Sequence, residues 1–287
     1  MSIFADSAPA GGLDADERVI VETAAGFAAK KLAPFALEWD ESNHFPVDEL
    51  REAAELGMGA IYCSEDVGGS GLRRLDGVRI FAQLAYADPA VAAFLSIHNM
   101  CTWMVDAYGT DEQRAEWVPG LATMETIASY CLTEPGAGSD AAALSTKAVR
   151  SGDEYVLTGV KQFISGAGSS DLYVVMARTG DAGPKGISTF LVDKDSPGLS
   201  FGAQEHKMGW HAQPTAQVIF DDKLTVDHTG DEKTAVRFRL DAEGKVINVD
   251  RRPKSLLETF RSSWRNGADL DPNTGVPRSG VRVLRRD

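Results

Sequence analysis

From Leu13 to Leu121 the apolar residues recur at helical spacing, and the punctuation between them sets out several helices rather than one. Asp14 with Glu17 has the form of a capping box, as does Thr110 with Gln113 just after Gly109. Pro46 is placed to start a helix and Gly57 to end it. Pro34 falls inside the first long pattern, where a residue without an N–H should kink or divide the helix. This half of the chain is expected to be a helix bundle.

From Thr126 the pattern changes to short runs rich in Val, Ile, Tyr and Phe with turn residues between them, which predicts strands. The runs 147–150 and 154–157 flank Ser151-Gly152-Asp153, a hairpin turn, and 160–164, 172–178, 187–192 and 216–220 continue the series. No helical pattern separates these runs, so an antiparallel sheet or barrel is expected rather than a doubly wound fold. The fold class is therefore α+β, with a helical domain over 1–125 and a β-domain over 126–227. Residues 228–287 form a third regime, expected to be poorly ordered apart from short strands around 236–240 and 245–249.

Charge marks the same break. Residues 1–227 hold 16 Lys and Arg against 33 Asp and Glu, whereas 228–287 hold 13 against 9, which together give the net charge of −13. So acidic a chain is not expected to bind nucleic acid, which needs clustered cations. Apolar residues at 43% and charged residues at 25% are ordinary for a chain with a buried core. Cys63, Cys101 and Cys131 lie far apart, so buried free thiols are expected rather than a disulfide framework or a zinc site. No apolar run is long enough to span a membrane, and Met1 to Gly12 show no leader pattern, so the expected location is cytoplasmic.

The stretch with most chemistry runs from Tyr130 through Cys131, Leu132, Thr133, Glu134, Pro135, Gly136, Ala137 and Gly138 to Ser139. It reads as a strand entering a Gly-rich, hydroxyl-bearing loop. Gly136 and Gly138 carry no Cβ and tolerate positive φ, so backbone N–H groups there can approach an anion or a flat polar ring. The loop is neither a P-loop nor a dinucleotide fingerprint, and on spacing alone a structural turn explains it as well. His98, among Phe94, Leu95, Ile97, Met100 and Trp103, reads as a hydrogen-bonded packing histidine. His206 and His211 lack the spacing of a helical metal pair.

The full string Thr133 to Asp140 resembles the flavin-binding signature of the acyl-CoA dehydrogenases. Further segments support the likeness: Gly159 to Gly166, Gly186 to Ser188, Pro197 to Leu199, Lys207 to Trp210, Glu65 to Gly71 and Gly109 to Gln113. The resemblance covers about residues 13 to 232. Ser96 to Met100, Ser129 to Leu132 and Ser165 to Gly168 are most similar to the branched short-chain members, the isobutyryl-CoA dehydrogenases. It implies that Tyr130 to Ser139 line FAD, with Thr133 bonding the flavin ring and Ser139 also touching acyl-CoA. It implies too that Phe163, Ile164 and Ser165 lie by the ring, with the Ser165 hydroxyl near its reactive nitrogen. The implied activity is α,β-desaturation of a short branched acyl-CoA in valine catabolism, with electron-transfer flavoprotein as acceptor and a homo-oligomeric assembly.

In that family a glutamate on a carboxy-terminal helix bundle removes the α-proton, and here the pattern is abandoned from Lys233 onward. Neither Glu243 nor Glu258 stands in the family's Tyr-Glu-Gly setting, so no catalytic base is assigned. The rise in arginine suggests a frame change in the gene. The expected chain is thus a truncated or frameshifted dehydrogenase with impaired activity; the alternatives are a non-catalytic module for flavin or acyl-CoA, an interaction partner of intact related subunits and, third, an acyl-CoA oxidase, whose typical chain is longer.

Overall fold

A computed structural model describes residues 13–152 and 154–227, with three short strands beyond them. Six α-helices come first: α1 (Ala15–Phe27), α2 (Ala36–Ser42), α3 (Val47–Glu55), α4 (Arg74–Ala87), α5 (Pro89–Tyr108) and α6 (Asp111–Ala122). The capping boxes form as the sequence predicts: Asp14 Oδ1 accepts from Glu17 N at 2.8 Å, and Thr110 Oγ1 accepts from Gln113 N at 3.2 Å. Pro34 divides the first helix, and the chain passes through a π-helical turn (Ala28–Leu32) before α2 begins. Gly57, just beyond α3, adopts φ +82°, the left-handed conformation that ends a helix. Helix α5 has 20 residues, yet no helix among the described residues is long and apolar enough to cross a membrane.

The strands are β1 (Ala128–Cys131), β2 (Lys147–Ser151), β3 (Glu154–Ser165), β4 (Leu172–Arg178), β5 (Ile187–Asp193), β6 (Leu199–Phe201) and β7 (Thr215–Asp227). Beyond them lie β8 (Ala235–Val236), which pairs with β5, and the antiparallel pair β9 (Arg239–Leu240) and β10 (Val246–Asn248). The rest of 228–287, where the frame change and poor order were expected, lies outside the described residues.

The main sheet runs β6-β7-β3-β2-β4-β5-β8, with β1 also against β4. Helices followed by a largely antiparallel sheet match the α+β expectation. Two joins are parallel, however: β1 runs beside β4 from Ala128↔Leu172 to Cys131↔Val175, and β2 meets β4 at Lys147↔Arg178. A parallel pair needs a crossover. Here the loop after β1 and the β2–β3 hairpin serve as the crossover that other folds build from a helix.

Strand β4 is buried on both faces, because successive side chains point to opposite sides. Leu172, Val174 and Met176 pack with Cys101, Val105 and Leu121 of the helices. Tyr173, Val175 and Ala177 pack with Leu157, Phe190 and Val218 inside the sheet's curl. The helical and β parts therefore share a core through β4, with Ala128 of β1 and Ile187 and Leu191 of β5 on the same helix-facing side. His98 fastens the same junction, as predicted for a packing histidine: its fully buried Nδ1 accepts from Ala128 N at 3.1 Å, and Nε2 donates to Leu121 O at 2.8 Å. Those two bonds fix the neutral tautomer with the proton on Nε2, and burial pushes its pKa down to about 4.

Candidate functional site

Strand β1 ends at Cys131, which is fully buried, and the chain then turns outward. Burial pushes the Cys131 thiol and the Tyr130 hydroxyl well up, so neither ionises near neutrality. The next residues build a tight turn: Glu134 N donates to Ala137 O at 3.0 Å, and Ala137 N donates back to Glu134 O at 3.1 Å. Glu134 and Ala137 are its buried feet, while Pro135 and Gly136 form the exposed tip, followed by exposed Gly138 and Ser139.

The Glu134 carboxylate points into the protein, away from the exposed face of the loop. Its Oε1 meets Lys161 Nζ at 2.7 Å, and it accepts from Ser145 N at 2.6 Å, Ser145 Oγ at 2.8 Å and Thr146 N at 2.9 Å. Lys161 Nζ also donates to Leu132 O at 3.1 Å. Burial raises the Glu134 pKa, but the bonds from Lys161, Thr146 and Ser145 outweigh it and hold the carboxyl at about 2. Burial pulls Lys161 down from the usual lysine range and the Glu134 charge opposes that; with four donors around the carboxylate, the pair is an ion pair. Glu134 thus anchors both ends of the loop. Sequence reasoning named it only as a lining residue; the signal for its real partner was Lys161 inside the strand segment Gly159 to Gly166.

Gly136 and Gly138 correct one expectation: neither adopts positive φ. A Cβ built on either meets nothing within 4 Å. The packing of the described residues therefore does not require glycine at either position. A glycine that the local structure does require is Gly166, with φ +82° and a Cβ position that collides with Ser170, Ser129 and Phe94.

The loop meets β3 where Gln162 N donates to Thr133 O at 2.8 Å. At this point the β3–β7 register shifts between Lys161 and Ile164, and Phe163 takes φ +58°. A bulky residue in the left-handed region is strained, and such strain collects at functional positions. The bulge sends the Phe163 ring outward, 59% exposed, between buried Lys161 and buried Ile164. Ser165 follows, and Gln213 Nε2 donates to its Oγ at 2.8 Å. The structure thus gathers Thr133, Phe163 and Ser165 around one end of β3, with Pro135, Gly136, Gly138 and Ser139 on the exposed stretch beside it. The side chains of Cys131, Glu134, Ala137 and Ile164 are buried and hold this surface from behind. Gln213 is a neighbour that sequence reasoning missed.

His211, set aside as a metal ligand, bonds Asp40 of α2 through both its backbone N and Nδ1, each at 2.8 Å. An open cleft of about 520 Å³ lies beyond the loop, lined by Asp140, Leu144, Ser145, Lys147, Arg178 and Gly183 among others.

Residues 14–125 match the family profile "Acyl-CoA dehydrogenase, N-terminal domain", and 129–223 match "Acyl-CoA dehydrogenase, middle domain". A mitochondrial isobutyryl-CoA dehydrogenase of Dictyostelium discoideum is 58% identical over 215 residues, which is 75% of this chain and 52% of that protein. The mitochondrial isobutyryl-CoA dehydrogenase of Bos taurus is 54% identical over 214 residues, 75% of this chain and 51% of that one. The solved glutaryl-CoA dehydrogenase of Mycobacterium smegmatis in complex with FADH2 superposes with a TM-score of 0.72 at 28% identity, covering 78% of this chain and 56% of its own. The chain spans about half the length of the curated relatives it matches.

These relatives overturn the cytoplasmic expectation, since both isobutyryl-CoA dehydrogenases are mitochondrial and point to the mitochondrion instead. That expectation rested on a missing leader pattern in Met1 to Gly12, and an absence there says nothing about where the folded protein works. Over residues 14–223 the chain belongs to the acyl-CoA dehydrogenase family, whose cofactor is FAD.

Proposed function

We propose that residues 13–223 carry the flavin side of an α,β-dehydrogenase for short branched acyl-CoA thioesters, with isobutyryl-CoA as substrate in valine breakdown. The helical domain extends to about residue 125 and the β-domain to about 227. Support for the substrate comes from 58% and 54% identity to two isobutyryl-CoA dehydrogenases. The observation that carries the reading is local: the Gly-rich loop and the β3 bulge are bonded together at Thr133 and Gln162, beside an outward, strained Phe163.

The residues suit a flat polar ring. Gly136 and Gly138 face open space, and no described protein group accepts the proton of the Ser165 hydroxyl. Thr133 and Ser165 would hold FAD by hydrogen bonds, Phe163 would pack by its ring, and Ser139 would contact both FAD and acyl-CoA. When bound, FAD supplies the hydride acceptor, which the protein tunes through such bonds. Glu134 is committed to Lys161, Ser145 and Thr146, so it is not the base for the α-proton. That base would come from a further helical domain. Without such a base the site would bind FAD weakly and not turn over; in a complete dehydrogenase of this kind electrons would pass to electron-transfer flavoprotein and the enzyme would work as a homo-oligomer.

A second reading, partnership with intact related subunits, draws on the outward display of Phe163, Met208 and Trp210 at 59%, 107% and 50% exposure. Co-purification of tagged chain with a full-length dehydrogenase tests that reading. FAD titration of the homogeneous chain, with a visible spectrum before and after isobutyryl-CoA, tests the first: saturable binding is expected, and no saturation removes it.

A further inference from the structure

We propose that Gln213 is a positioning residue that keeps the Ser165 hydroxyl available as a hydrogen-bond donor to the flavin ring. The inference rests on the FAD reading above. Two chain segments are pinned together at this point, since Gly166 N donates to Pro214 O at 2.8 Å and Gln213 Nε2 donates to Ser165 Oγ at 2.8 Å. Gln213 is 5% exposed, so its amide is held by packing.

A serine hydroxyl has one proton and two lone pairs. The Gln213 amide occupies a lone pair, which leaves the proton to be given elsewhere. No described residue takes it. The arrangement has a cost, because Gln213 Oε1 is buried with no partner among the described residues. Turning the amide over would pair Oε1 with the serine proton and leave the NH2 group unpaired instead. The two orientations have opposite consequences: one reserves the Ser165 proton for a ligand, and the other consumes it. The strained Phe163, two residues before Ser165, shows that this end of β3 is fixed in an unfavourable conformation. A donor aimed from such a fixed end suits an acceptor atom on the edge of a planar ring.

Gln213→Glu separates the orientations, because a carboxylate only accepts and must draw the Ser165 proton to itself. FAD affinity is measured by fluorescence titration for wild type, Gln213→Glu, Ser165→Ala and the double variant, with apo melting temperature and the visible spectrum of the bound flavin alongside. Gln213→Glu is expected to weaken FAD about three- to tenfold, the size of one net hydrogen bond. Ser165→Ala should do the same, and the double variant should be no weaker than Ser165→Ala. The two single variants should shift the flavin spectrum alike. Gln213→Met, without a polar group, should act in the same direction and fail in the same non-additive way. Wild-type affinity in Gln213→Glu and Gln213→Met, or a full additional loss on top of Ser165→Ala, overturns the positioning role while leaving the flavin site standing. Failure of the wild-type chain to bind FAD overturns both.

Discussion

His211 and Asp40, 171 positions apart, lock the loop before β7 onto helix α2: Asp40 accepts from His211 N and faces Nδ1, both at 2.8 Å. The other ring nitrogen, Nε2, lies 2.7 Å from Lys207 O, so both nitrogens face acceptors. Only the imidazolium can donate to both. Its pKa is raised first by the bond to Asp40 and then by the Lys207 carbonyl, with the Lys207 charge working against it; that of Asp40 is lowered chiefly by His211.

A raised histidine contributes stability fully below its unfolded value of 6.5 and loses it as pH rises through the folded value. A lowered aspartate contributes above 3.8 and loses it as pH falls through its folded value. Denaturant unfolding of wild type and His211→Asn across pH should therefore differ most between those two values, and the gap should narrow as pH rises through the raised folded value of the histidine. A gap independent of pH shows that the lock is not ionic.

His98 acts in the opposite sense. Its folded pKa of about 4 lies below the ordinary 6.5, so the unfolded chain takes up the proton first and stability falls as pH drops between those values. The full effect is about 3 kcal/mol, at about 1.4 kcal/mol per pH unit. His98→Gln should remove this acid limb from the unfolding curve even though it lowers stability at neutral pH. An unchanged limb assigns it to another group.

Lys161→Met should destabilise the chain by about 3 kcal/mol, since it leaves the Glu134 carboxylate buried without its cation. Adding Glu134→Gln should recover part of that loss. Urea denaturation reads both, and a single-variant loss below about 0.5 kcal/mol contradicts the anchoring role.

Gly166 and Gly138 should respond in contrasting ways. Gly166→Ala combines φ +82° with a Cβ 2.8 Å from Phe94 Cε2, and a loss of about 2–5 kcal/mol is expected. Gly138→Val should leave apo stability within about 0.5 kcal/mol, because nothing lies near its Cβ, and should abolish FAD binding. Unchanged FAD affinity in that variant takes the loop out of the site.

Local features were legible in the sequence because local chemistry decides them: the two capping boxes, the break at Pro34, the Gly152 turn and the packing role of His98. Strand partners were not, since periodicity sets which face a residue takes but not which strand lies alongside; the parallel joins of β4 to β1 and β2 are of that kind. The same limit hid the inward turn of Glu134, whose partner Lys161 comes 27 positions later on another strand. At Gly138 the open space left by the missing Cβ agrees with the sequence, but the positive φ that glycine permits is not used, because a sequence shows which conformations a glycine allows and not which one it takes.

The visible spectrum of the purified 287-residue chain, titrated with FAD and then with isobutyryl-CoA, tests most directly the proposed FAD site at the Gly-rich loop and the β3 bulge. Saturable, weak binding is expected, with a flavin band that isobutyryl-CoA does not bleach. Tightly bound, stoichiometric FAD that isobutyryl-CoA reduces contradicts the proposed weak binding without turnover, and a titration that never saturates contradicts the site itself.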